Sequence, residues 1–584
     1  MTDFLGPDIQ SVPTVLVVCL LAVGVCLGCD SQGHSLSGDP DDGGLLLPNG
    51  FEAIVVTDSI GPARHLTVRD NGDIYVKLKR PYEKGSVVAL RDTTGNGKAD
   101  LIRTFGAFDP EEGNLNTGAE IHDGHLYVST DLRVYRYDLT PGELVPQGGP
   151  DTILVDKGGM HEHIAKPISF DDAGGMYVPY GAPNNACQEP KRTPGIEGQD
   201  PCPVLDDHAG IWRFEADASH QTQADGELVS TGIRSVVAMD WNPADGHLYS
   251  VVHGRDNLHR LWPDNYSPWD NAMLPAEEFI RVTEGRHFGW PYCYYDQIQE
   301  KKVLAPEYGG DGDEVGRCHQ FDDPIIGFPG HFAPNGLLFY QEQQFPDHYQ
   351  NGAFVAFHGS TIRNPYPQAG YFVAFVPFED GEVAGEWEVF ANGFAGVDPI
   401  VNTSDAEHRP SGLAAGPDGS LYIAEDNEGK LWRVFYNGGT FTESDLARME
   451  KEKRTASNIR TPHKEKDNLR REMLSAGEKI YVQNCAACHQ RNGQGAPPRY
   501  PTLSGTDWVT GDKQRLISVI VNGLEGPIEV KGEPYSGAMP GHDFLSDEEV
   551  ADVATYIRKN FGNDAGAVSA EDVRRVRNAP STDD

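Results

Sequence analysis

Near its end the chain carries two cysteines and a histidine in the arrangement Cys485-Ala-Ala-Cys488-His489. Thiols with this spacing can add across both vinyl groups of a haem, and the adjacent histidine then ligates the iron. A redox CxxC, or half of a zinc site that happens to precede a histidine, is the alternative interpretation. The Gly/Pro-rich segment 536–540 offers the thioether of Met539, 50 residues after His489. We therefore predict haem c bound covalently by Cys485 and Cys488, with His489 and Met539 as iron ligands suited to electron transfer.

Sequence on both sides of this motif predicts helices. Residues 545–557 combine Ser546 in an N-cap position with an acidic first turn and apolar residues three and four apart. Together with the predicted helix before Cys485 and the Gly/Pro loop after it, this segment resembles a class I cytochrome c domain over residues 468–563. The resemblance implies a small all-α domain.

Composition restricts the class of the remaining chain. A length of 584 residues predicts two or more domains. The net charge of −40 argues against nucleic-acid binding. The 66 glycines and 41 prolines, with few long apolar-periodic stretches, indicate many turns and a mostly β bulk.

The N-terminus contains one apolar run, residues 12–28, that predicts an export segment. Leu27-Gly28-Cys29-Asp30 resembles a bacterial lipoprotein cleavage site with Cys29 as the lipidated residue, although no Lys or Arg precedes the run. An uncleaved membrane anchor and an ordinary signal peptide are the alternatives. Each places the protein outside the cytoplasm, on the periplasmic side or outer surface of a bacterial cell, with a lipid anchor in the first case. We assign residues 1–29 to this signal and 30–44 to a flexible spacer.

Four cysteines outside the export segment and the CxxCH motif fall into two local pairs, Cys187 with Cys202 and Cys293 with Cys318. In an oxidising compartment such pairs predict disulfides. Free buried thiols are the alternative.

Residues 45–436 repeat a strand, an Asp/Asn/Gly turn and a second strand with a central aromatic residue. Such turns between alternating strands indicate hairpins, and repetition at intervals of about fifty residues or more indicates a radial or linear array. A six-bladed β-propeller is the economical architecture, and seven blades with one degenerate copy is the alternative. We expect residues 437–467 to be a charged linker and 564–584 a polar tail. The repeated aromatic residues are Tyr75, Tyr127, Tyr177, Tyr249, Phe354 in a looser copy, and Tyr422.

Several loops that lead into or out of these repeats carry His and Arg. They are residues 161–168, 231–235, 253–257, 331–336, 358–363 and 408–412. Each residue alone is more simply a solvated loop residue. Several blades sending guanidinium groups to one channel mouth would suit a ligand with several carboxylates.

At these loops the chain resembles the PQQ-dependent glucose/sorbosone dehydrogenase family, in particular its sorbosone-dehydrogenase-like branch. The resemblance spans nearly all of residues 45–436. It implies a six-bladed propeller in which PQQ oxidises a sugar or a related alcohol or aldehyde, with electrons passing on to the haem. The matching segments are Glu162-His163-Ile-Ala-Lys166, residues 288–293, 331–340 and 354–360, and Arg409-Pro-Ser-Gly412.

By this resemblance, His163 is the catalytic base and Glu162 its acidic neighbour, while backbone carbonyls of Gly254 and Arg255 hold a calcium ion. The chain departs from the family because Ser235 stands where an amide is usual and because no acidic residue clearly matches the carboxylate that orients the base. His161 competes with His163, although the offset to Lys166 favours His163. The implied PQQ contacts are Arg234, Ser235, Arg363, Arg409, His331, Asn335 and Lys166.

Asp92-Thr-Thr-Gly-Asn96-Gly-Lys-Ala-Asp100 has some features of a calcium loop. Its third position is Thr94 and Arg103 stands where the closing Glu is usual, so we interpret it as a hairpin turn.

Two function classes stay open. The first is a dehydrogenase whose partners are a small sugar, non-sugar alcohol or aldehyde donor and a downstream periplasmic acceptor such as a cytochrome or oxidase. The second is a propeller without catalysis that serves as a binding or scaffold module for an electron-transfer cytochrome.

Overall fold

The computed structural model describes residues 36–438, except 83–84, 107–109, 114–116, 365 and 398–399, and residues 476–579, except 491 and 498. Cys29, the export segment and most of the predicted linker 437–467 lie outside the described residues. Within the described ranges, no helix combines the length and the apolar character needed to cross a membrane.

Six antiparallel sheets, the blades of a propeller, follow one another along the chain, as the repeats predicted. Blade 1 contains Ala63–Val68, Ile74–Tyr82, Gly85–Arg91 and Leu101–Phe105; blade 2 contains Ala119–His122, His125–Ser129, Arg133–Asp138 and Asp151–Val155; blade 3 contains Ser169–Phe170, Gly175–Tyr180, Gly210–Glu215 and Glu227–Thr231, with Arg286–His287 added in parallel. Blade 4 contains Val236–Asn242, His247–Val252, Glu277–Val282 and Ile326–Phe328; blade 5 contains Pro334–Phe339, Ala353–Phe357, Phe372–Val376 and Glu388–Ala391; blade 6 contains Pro410–Ala415, Leu421–Glu425, Leu431–Tyr436 and Phe51–Thr57.

Blade 6 joins the two ends of the propeller. Its outer strand, Phe51–Thr57, comes from the start of the domain and pairs antiparallel with Leu431–Tyr436 from the end, with Phe51 opposite Tyr436. This pairing satisfies the backbone hydrogen bonds of the last blade with a strand from the first part of the domain, which protects the ring from opening at that point.

The repeated aromatic residue lies on the second strand of every blade. Tyr75, Tyr249 and Phe354 are completely buried. Tyr249 of blade 4 packs against Phe339 of blade 5, with ring centroids 4.8 Å apart. The aromatic residue therefore fills the layer between neighbouring blades, which explains why the sequence repeats it.

The loop that leads into the first, innermost strand of a blade (its leading loop) lies beside the end of the second strand of the same blade. In blades 4, 5 and 6 the same backbone hydrogen bond recurs, from His253 to Ser235, from His358 to Ala333 and from Asp426 to Arg409. Inner strands of neighbouring blades also contact one another. Because each inner pair of strands is antiparallel, these loops gather at one mouth of the channel.

Both predicted disulfides are formed, Cys187–Cys202 and Cys293–Cys318. The four cysteines pack in one apolar cluster with Trp290 and Tyr292. The second bond lies in an insertion that contains the hairpin Cys293–Asp296/Lys301–Leu304 and the helices Leu258–Leu261 and Pro268–Met273. Two disulfides are consistent with an oxidising, extracytoplasmic compartment.

Residues 92–100 connect two paired strands of blade 1, which confirms the hairpin interpretation. The Asp92 carboxylate accepts hydrogen bonds from the backbone N–H groups of Gly95 and Gly97, both at 2.7 Å. Among the described residues, no group of three or more His, Cys, Asp or Glu side chains is arranged to hold a metal ion.

The C-terminal part is helical, as predicted. Ser546 caps the helix Asp547–Lys559 by accepting a hydrogen bond from Glu549 N–H, and Gly477 lets a helical segment at 476–484 approach the Asp552 carbonyl closely. The other helices are Ala486–His489, Asp507–Thr510, Lys513–Asn522 and Ala570–Asn578, and the one hairpin described in this part is Ile528–Val530/Glu533–Tyr535.

The polar tail expected at 564–584 is wrong for its central part. Ser569 caps the helix Ala570–Asn578, and Val568 and Val573 are buried in the core of the domain. The sequence of this helix is strongly polar, so the apolar pattern around its buried Val573 was too weak to predict it.

Short 3-10 helices and one further hairpin complete the described elements. They are Asp42–Gly44, Pro110–Glu112, Pro203–Asp206, Gln223–Asp225, Pro306–Tyr308, Gly316–Gln320, Asp347–Tyr349 and Thr403–Asp405, with the hairpin Phe378–Glu379/Glu382–Val383.

Candidate active site and haem cavity

His163 stands in the leading loop of blade 3 in a fixed orientation. Its Nδ1 lies 2.7 Å from the carbonyl oxygen of Ala182, and its backbone φ is +54°, a conformation that non-glycine residues rarely adopt. Burial, followed by the positive charge of Arg234, holds the pKa of His163 well below its ordinary value. The side chain is therefore a neutral imidazole near pH 7, with Nδ1 as the donor and Nε2 as the basic atom.

Asp256 receives two arginines beside this histidine. Its Oδ2 accepts hydrogen bonds from Arg192 and from Arg234, both at 3.0 Å. Burial alone would raise the pKa of Asp256, but the charges of Arg234 and Arg192 lower it far below its ordinary value. Asp256 is thus an anion that lies close enough to His163 to favour its protonated form.

The first disulfide loop supplies Arg192 to this network. Arg192 lies between Cys187 and Cys202 and also binds Glu162, at 2.8 Å. Glu162 therefore pairs with an arginine. The backbone carbonyl of Ala182 is what orients His163, which explains why the sequence offered no carboxylate for that purpose.

Arg234 is 4 % exposed and is held on three sides. It donates to the Gly254 carbonyl at 2.6 Å and to Asn185 Oδ1 at 2.9 Å, in addition to Asp256. Its Nε is buried and has no hydrogen-bond partner among the described residues. Ser235, the next residue, is buried at the start of blade 4.

Buried acidic side chains contact the Gly254–Arg255 segment that is predicted to hold calcium. Glu277 accepts hydrogen bonds from Gly254 N–H at 2.8 Å and Ala333 N–H at 3.2 Å, and burial raises its pKa to about 7. The side chain of Arg255 forms a buried ion pair with Glu307. The Gly254 carbonyl already accepts the Arg234 hydrogen bond, so a cation there would share this oxygen.

A second charged cluster lies between blades 5, 6 and 1. Arg409 donates to His358 Nδ1 at 2.9 Å, and His358 Nε2 lies 2.6 Å from Asp426 Oδ1. Lys79 and Arg64 of blade 1 approach the other oxygen of Asp426, at 3.2 Å and 3.6 Å. This cluster therefore places three cationic side chains, those of Arg409, Lys79 and Arg64, around the buried carboxylate of Asp426.

Three of the residues predicted to contact PQQ have their side chains engaged within the protein, namely Arg363, Lys166 and His331. Arg363 is fully buried and donates to the carbonyls of Ala272, Gly330 and Pro367. Lys166 is 1 % exposed and pairs with Asp156 at 2.7 Å. These two cations bind protein oxygens, so we reassign them from cofactor clamps to structural supports.

His331 and Asn335 likewise connect elements of the fold. His331 Nε2 contacts the carbonyls of Asn271 and Leu274, at 2.8 Å and 3.2 Å. The carbonyl of Asn335 accepts a hydrogen bond from His65 Nε2 at 2.7 Å. We reassign His331 to a structural role, while Asn335 marks the place where blades 1 and 5 meet.

Sequence reasoning missed Arg192, Asp256, Arg64 and Asp426. Asp256 directly follows the Gly254-Arg255 segment that was singled out, and Asp426 follows the second strand of blade 6, in the position that His253 and His358 occupy in blades 4 and 5. Comparison of the blade ends could therefore have found Asp426. No such signal exists for Arg192, which depends on the fold of the disulfide loop.

A cavity of the C-terminal domain lies beside the CxxCH motif. Cys485, Cys488, His489 and Met539 all line it, so the structure brings the four predicted haem residues together. The rest of the wall is mostly apolar, with Leu516, Ile520, Leu524, Val530, Val553 and Ile557 among its residues.

The histidine and the methionine of this cavity are each fixed by the backbone. His489 Nδ1 lies 3.1 Å from the Pro501 carbonyl, which leaves Nε2 as the ligating atom. Met539 pairs with Leu524 through two backbone hydrogen bonds of 2.8 Å and 3.0 Å. The donor set, two thiols, an imidazole and a thioether in an apolar cavity, fits covalent haem with His/Met ligation.

Comparison with known proteins supports two domains. A family profile described as TrAA12-like matches residues 45–437, and a cytochrome c profile matches residues 474–560. The C-terminal segment is 43 % identical over 111 residues to cytochrome c-552 of Thermus thermophilus, covering 17 % of this chain and 83 % of that protein.

Solved structures share the propeller fold. One is described as the calcium structure of the Trichoderma reesei carbohydrate-active enzyme of family AA12, with a TM-score of 0.54 and 18 % identity over 70 % of this chain and 99 % of that one. Another is the holo form of the pyranose dehydrogenase PQQ domain from Coprinopsis cinerea, with a TM-score of 0.52 and 17 % identity over 67 % of this chain and 97 % of that one. The expected resemblance is confirmed: the chain belongs to the TrAA12-like family, and its propeller is followed by a cytochrome c domain.

Proposed function

We propose that the protein is a quinohaemoprotein dehydrogenase that oxidises a sugar, or a related alcohol or aldehyde, with PQQ at the propeller mouth and passes the electrons to haem c. The observation that carries the proposal is the fixed neutral imidazole of His163 beside the buried Asp256–Arg234 pair. A base and a set of cations at one mouth is the combination that this oxidation needs.

The residues at the mouth fit a cofactor with several carboxylates. Arg234 has a buried Nε without a partner among the described residues, and Arg409 lies half-buried in a cluster with an excess of positive charge. We propose that Arg234 and Arg409 hold PQQ, with Ser235 and Asn335 beside them. The Coprinopsis protein, whose PQQ domain has this fold, supports the same choice of cofactor.

When bound, PQQ supplies a two-electron oxidant that accepts a hydride from the substrate carbon. His163 Nε2 takes the proton of the substrate hydroxyl, so the electron pair of the O–H bond can form the carbonyl group of the product. The negative charge of Asp256 stabilises the imidazolium that results. Arg192 keeps Asp256 and Glu162 in place and so holds both acidic residues near the base.

The cytochrome c domain provides the exit for electrons. Cys485 and Cys488 would attach the haem, and His489 and Met539 would ligate its iron. A haem held by these residues would supply one-electron transfer to an external acceptor. We propose a cytochrome or an oxidase on the periplasmic side or outer surface of the cell as that acceptor, with the protein anchored there through a lipidated Cys29.

We also propose that the backbone carbonyls of Gly254 and Arg255 bind a calcium ion. The alternative function, a propeller that binds or positions partners for the cytochrome without catalysis, predicts no oxidation at all.

A substrate panel tests the proposal. The purified haem-containing protein is incubated with aldoses, sorbosone-type aldehydes and simple alcohols, with and without PQQ and calcium, and haem reduction is followed by absorbance. We expect reduction by at least one sugar or related donor only when PQQ is present. No quinone binding and no reduction with any donor would contradict the proposal and favour the scaffold function.

A further inference from the structure

We infer that Arg64 is a direct ligand for a carboxylate of the quinone cofactor, in the part of the mouth between blades 1 and 6. This inference rests on the proposed function and deepens it, because it assigns a binding residue that neither the motifs nor the resemblance pointed to. The alternative is a structural arginine that serves only the Asp426 cluster.

The hydrogen-bonding state of Arg64 is the first argument. The residue is 8 % exposed, and its Nε and Nη1 are buried without a hydrogen-bond partner among the described residues. Its Nη2 approaches Asp426 Oδ2 at 3.6 Å, too far for a good hydrogen bond. Leaving a buried charged donor unsatisfied is unfavourable, so a ligand oxygen is expected at these two nitrogens.

The charge balance of the cluster is the second argument. Asp426 already binds His358 at 2.6 Å and Lys79 at 3.2 Å, so it cannot fully compensate Arg64 and Arg409 as well. The neighbouring Glu425 attracts Arg409, but its oxygens accept hydrogen bonds from the backbone of residues 427–430, and within the described part of the chain it forms no ion pair with Arg64. Burying excess positive charge is costly unless an anion joins it.

The position of Arg64 is the third argument. It lies on Ala63–Val68, the inner strand of blade 1, and its neighbour His65 donates to the carbonyl of Asn335 in blade 5 at 2.7 Å. This end of the strand therefore reaches the centre of the channel. A planar guanidinium with two parallel donors there matches a carboxylate in a bidentate geometry.

Affinity for PQQ tests the inference without relying on turnover. The full-length, haem-containing protein is prepared without quinone as wild type, Arg64→Gln, Arg64→Lys and Arg69→Gln. Arg69 is the matched control, since it follows the same strand at its other end and donates to the carbonyls of Leu139 and Thr140. Binding of PQQ at fixed calcium is measured by equilibrium dialysis, and folding by thermal unfolding.

We expect Arg64→Gln to weaken PQQ binding at least about 30-fold, which is about 2 kcal/mol. Arg64→Lys keeps the charge but loses the paired donors, so it should weaken binding about 5- to 10-fold. Arg69→Gln should bind within about twofold of wild type. If Arg64→Gln fails to fold, the PQQ affinity of Arg64→Lys tests the inference in its place.

Two failures are distinguishable. Arg64 variants that fold and bind PQQ as tightly as wild type would overturn the inference and leave the proposed function standing. A wild-type protein that binds no PQQ would overturn the proposed function and, with it, this assignment.

Discussion

The Nδ1 atom of His163 lies 2.7 Å from the carbonyl oxygen of Ala182. Because a carbonyl can only accept, this contact assigns the proton to Nδ1 and the lone pair to Nε2. Ala182 N–H in turn donates to the Arg234 carbonyl at 2.7 Å, so the orientation of the base is connected through the backbone to the arginine beside it.

Replacing His163 with alanine should reduce substrate-dependent haem reduction by at least about 100-fold, because it deletes the imidazole proposed to take the hydroxyl proton. The absorbance spectrum of the haem should stay unchanged. His161→Ala is the matched control, since its Nδ1 faces the carbonyl of Glu162, and it should keep most of the activity. Full activity in His163→Ala would refute the assignment of the base.

Asp256→Asn should destabilise the propeller by about 3–5 kcal/mol, because it leaves Arg234 buried without its countercharge. The urea midpoint of unfolding measures this loss. Asp207→Asn, at a carboxylate 64 % exposed, is the control and should change the midpoint little. Equal midpoints for the two variants would mean that Asp256 does not hold the arginines together.

His331 should make the protein sensitive to acid. Burial lowers its pKa to about 4, whereas an unfolded histidine titrates near pH 6.5. Below about pH 6.5 the unfolded state therefore binds a proton that the folded state does not, and wild type loses up to about 1.4 kcal/mol per pH unit until about pH 4.

His331→Gln removes this proton site. The difference in free energy of unfolding between wild type and variant, measured first at pH 8 as a baseline, should shift in favour of the variant as the pH falls from about 6.5 to 4. Comparison with the variant cancels the other titrating groups. A difference that is constant with pH would contradict the lowered pKa.

Met539→Ala should remove one iron ligand while the thioether bonds of Cys485 and Cys488 persist. We expect a lower reduction potential and a haem that binds carbon monoxide readily, because the sulfur that favours the reduced iron is lost. The measurements are a redox titration and absorbance with and without carbon monoxide. Met160→Ala, at a methionine 55 % exposed on the propeller, should change neither.

Calcium should tighten PQQ binding by about tenfold over a chelator-treated sample, while magnesium should not. Calcium accepts backbone carbonyls in flexible geometry, whereas magnesium demands octahedral geometry and dehydrates reluctantly. Equilibrium dialysis with each ion measures the effect. Equal PQQ affinity with and without calcium would contradict the proposal that the Gly254–Arg255 segment binds the ion.

The sequence predicted the parts of the fold that repeat or that lie close together in the chain. The aromatic residue on the second strand identified all six blades, because its burial between neighbouring blades favours an aromatic side chain each time. Both disulfides join cysteines only 15 and 25 residues apart. The CxxCH motif is contiguous in the sequence, and Met539 is predicted only together with it, as a thioether in a Gly/Pro-rich loop 50 residues after His489.

The predictions for the propeller mouth were less complete, because residue type does not reveal which oxygen a cation binds. Lys166 and Arg363 have suitable chemistry and lie in the right loops, yet each is buried against oxygens of its own protein.

In the C-terminal part, Ser569 caps a helix in a segment whose composition indicated only a polar tail.

The sequence by itself therefore determined the two-domain architecture, the repeat, the disulfide pairs and the haem motif. Tertiary structure alone decided that Arg192 meets Asp256, 64 residues away, and that Lys79 meets Asp426, 347 residues away. The physical reason is that spacing fixes geometry only within one turn or hairpin. Which charges share the channel mouth depends on the closure of six blades around an axis, and no local pattern encodes that closure.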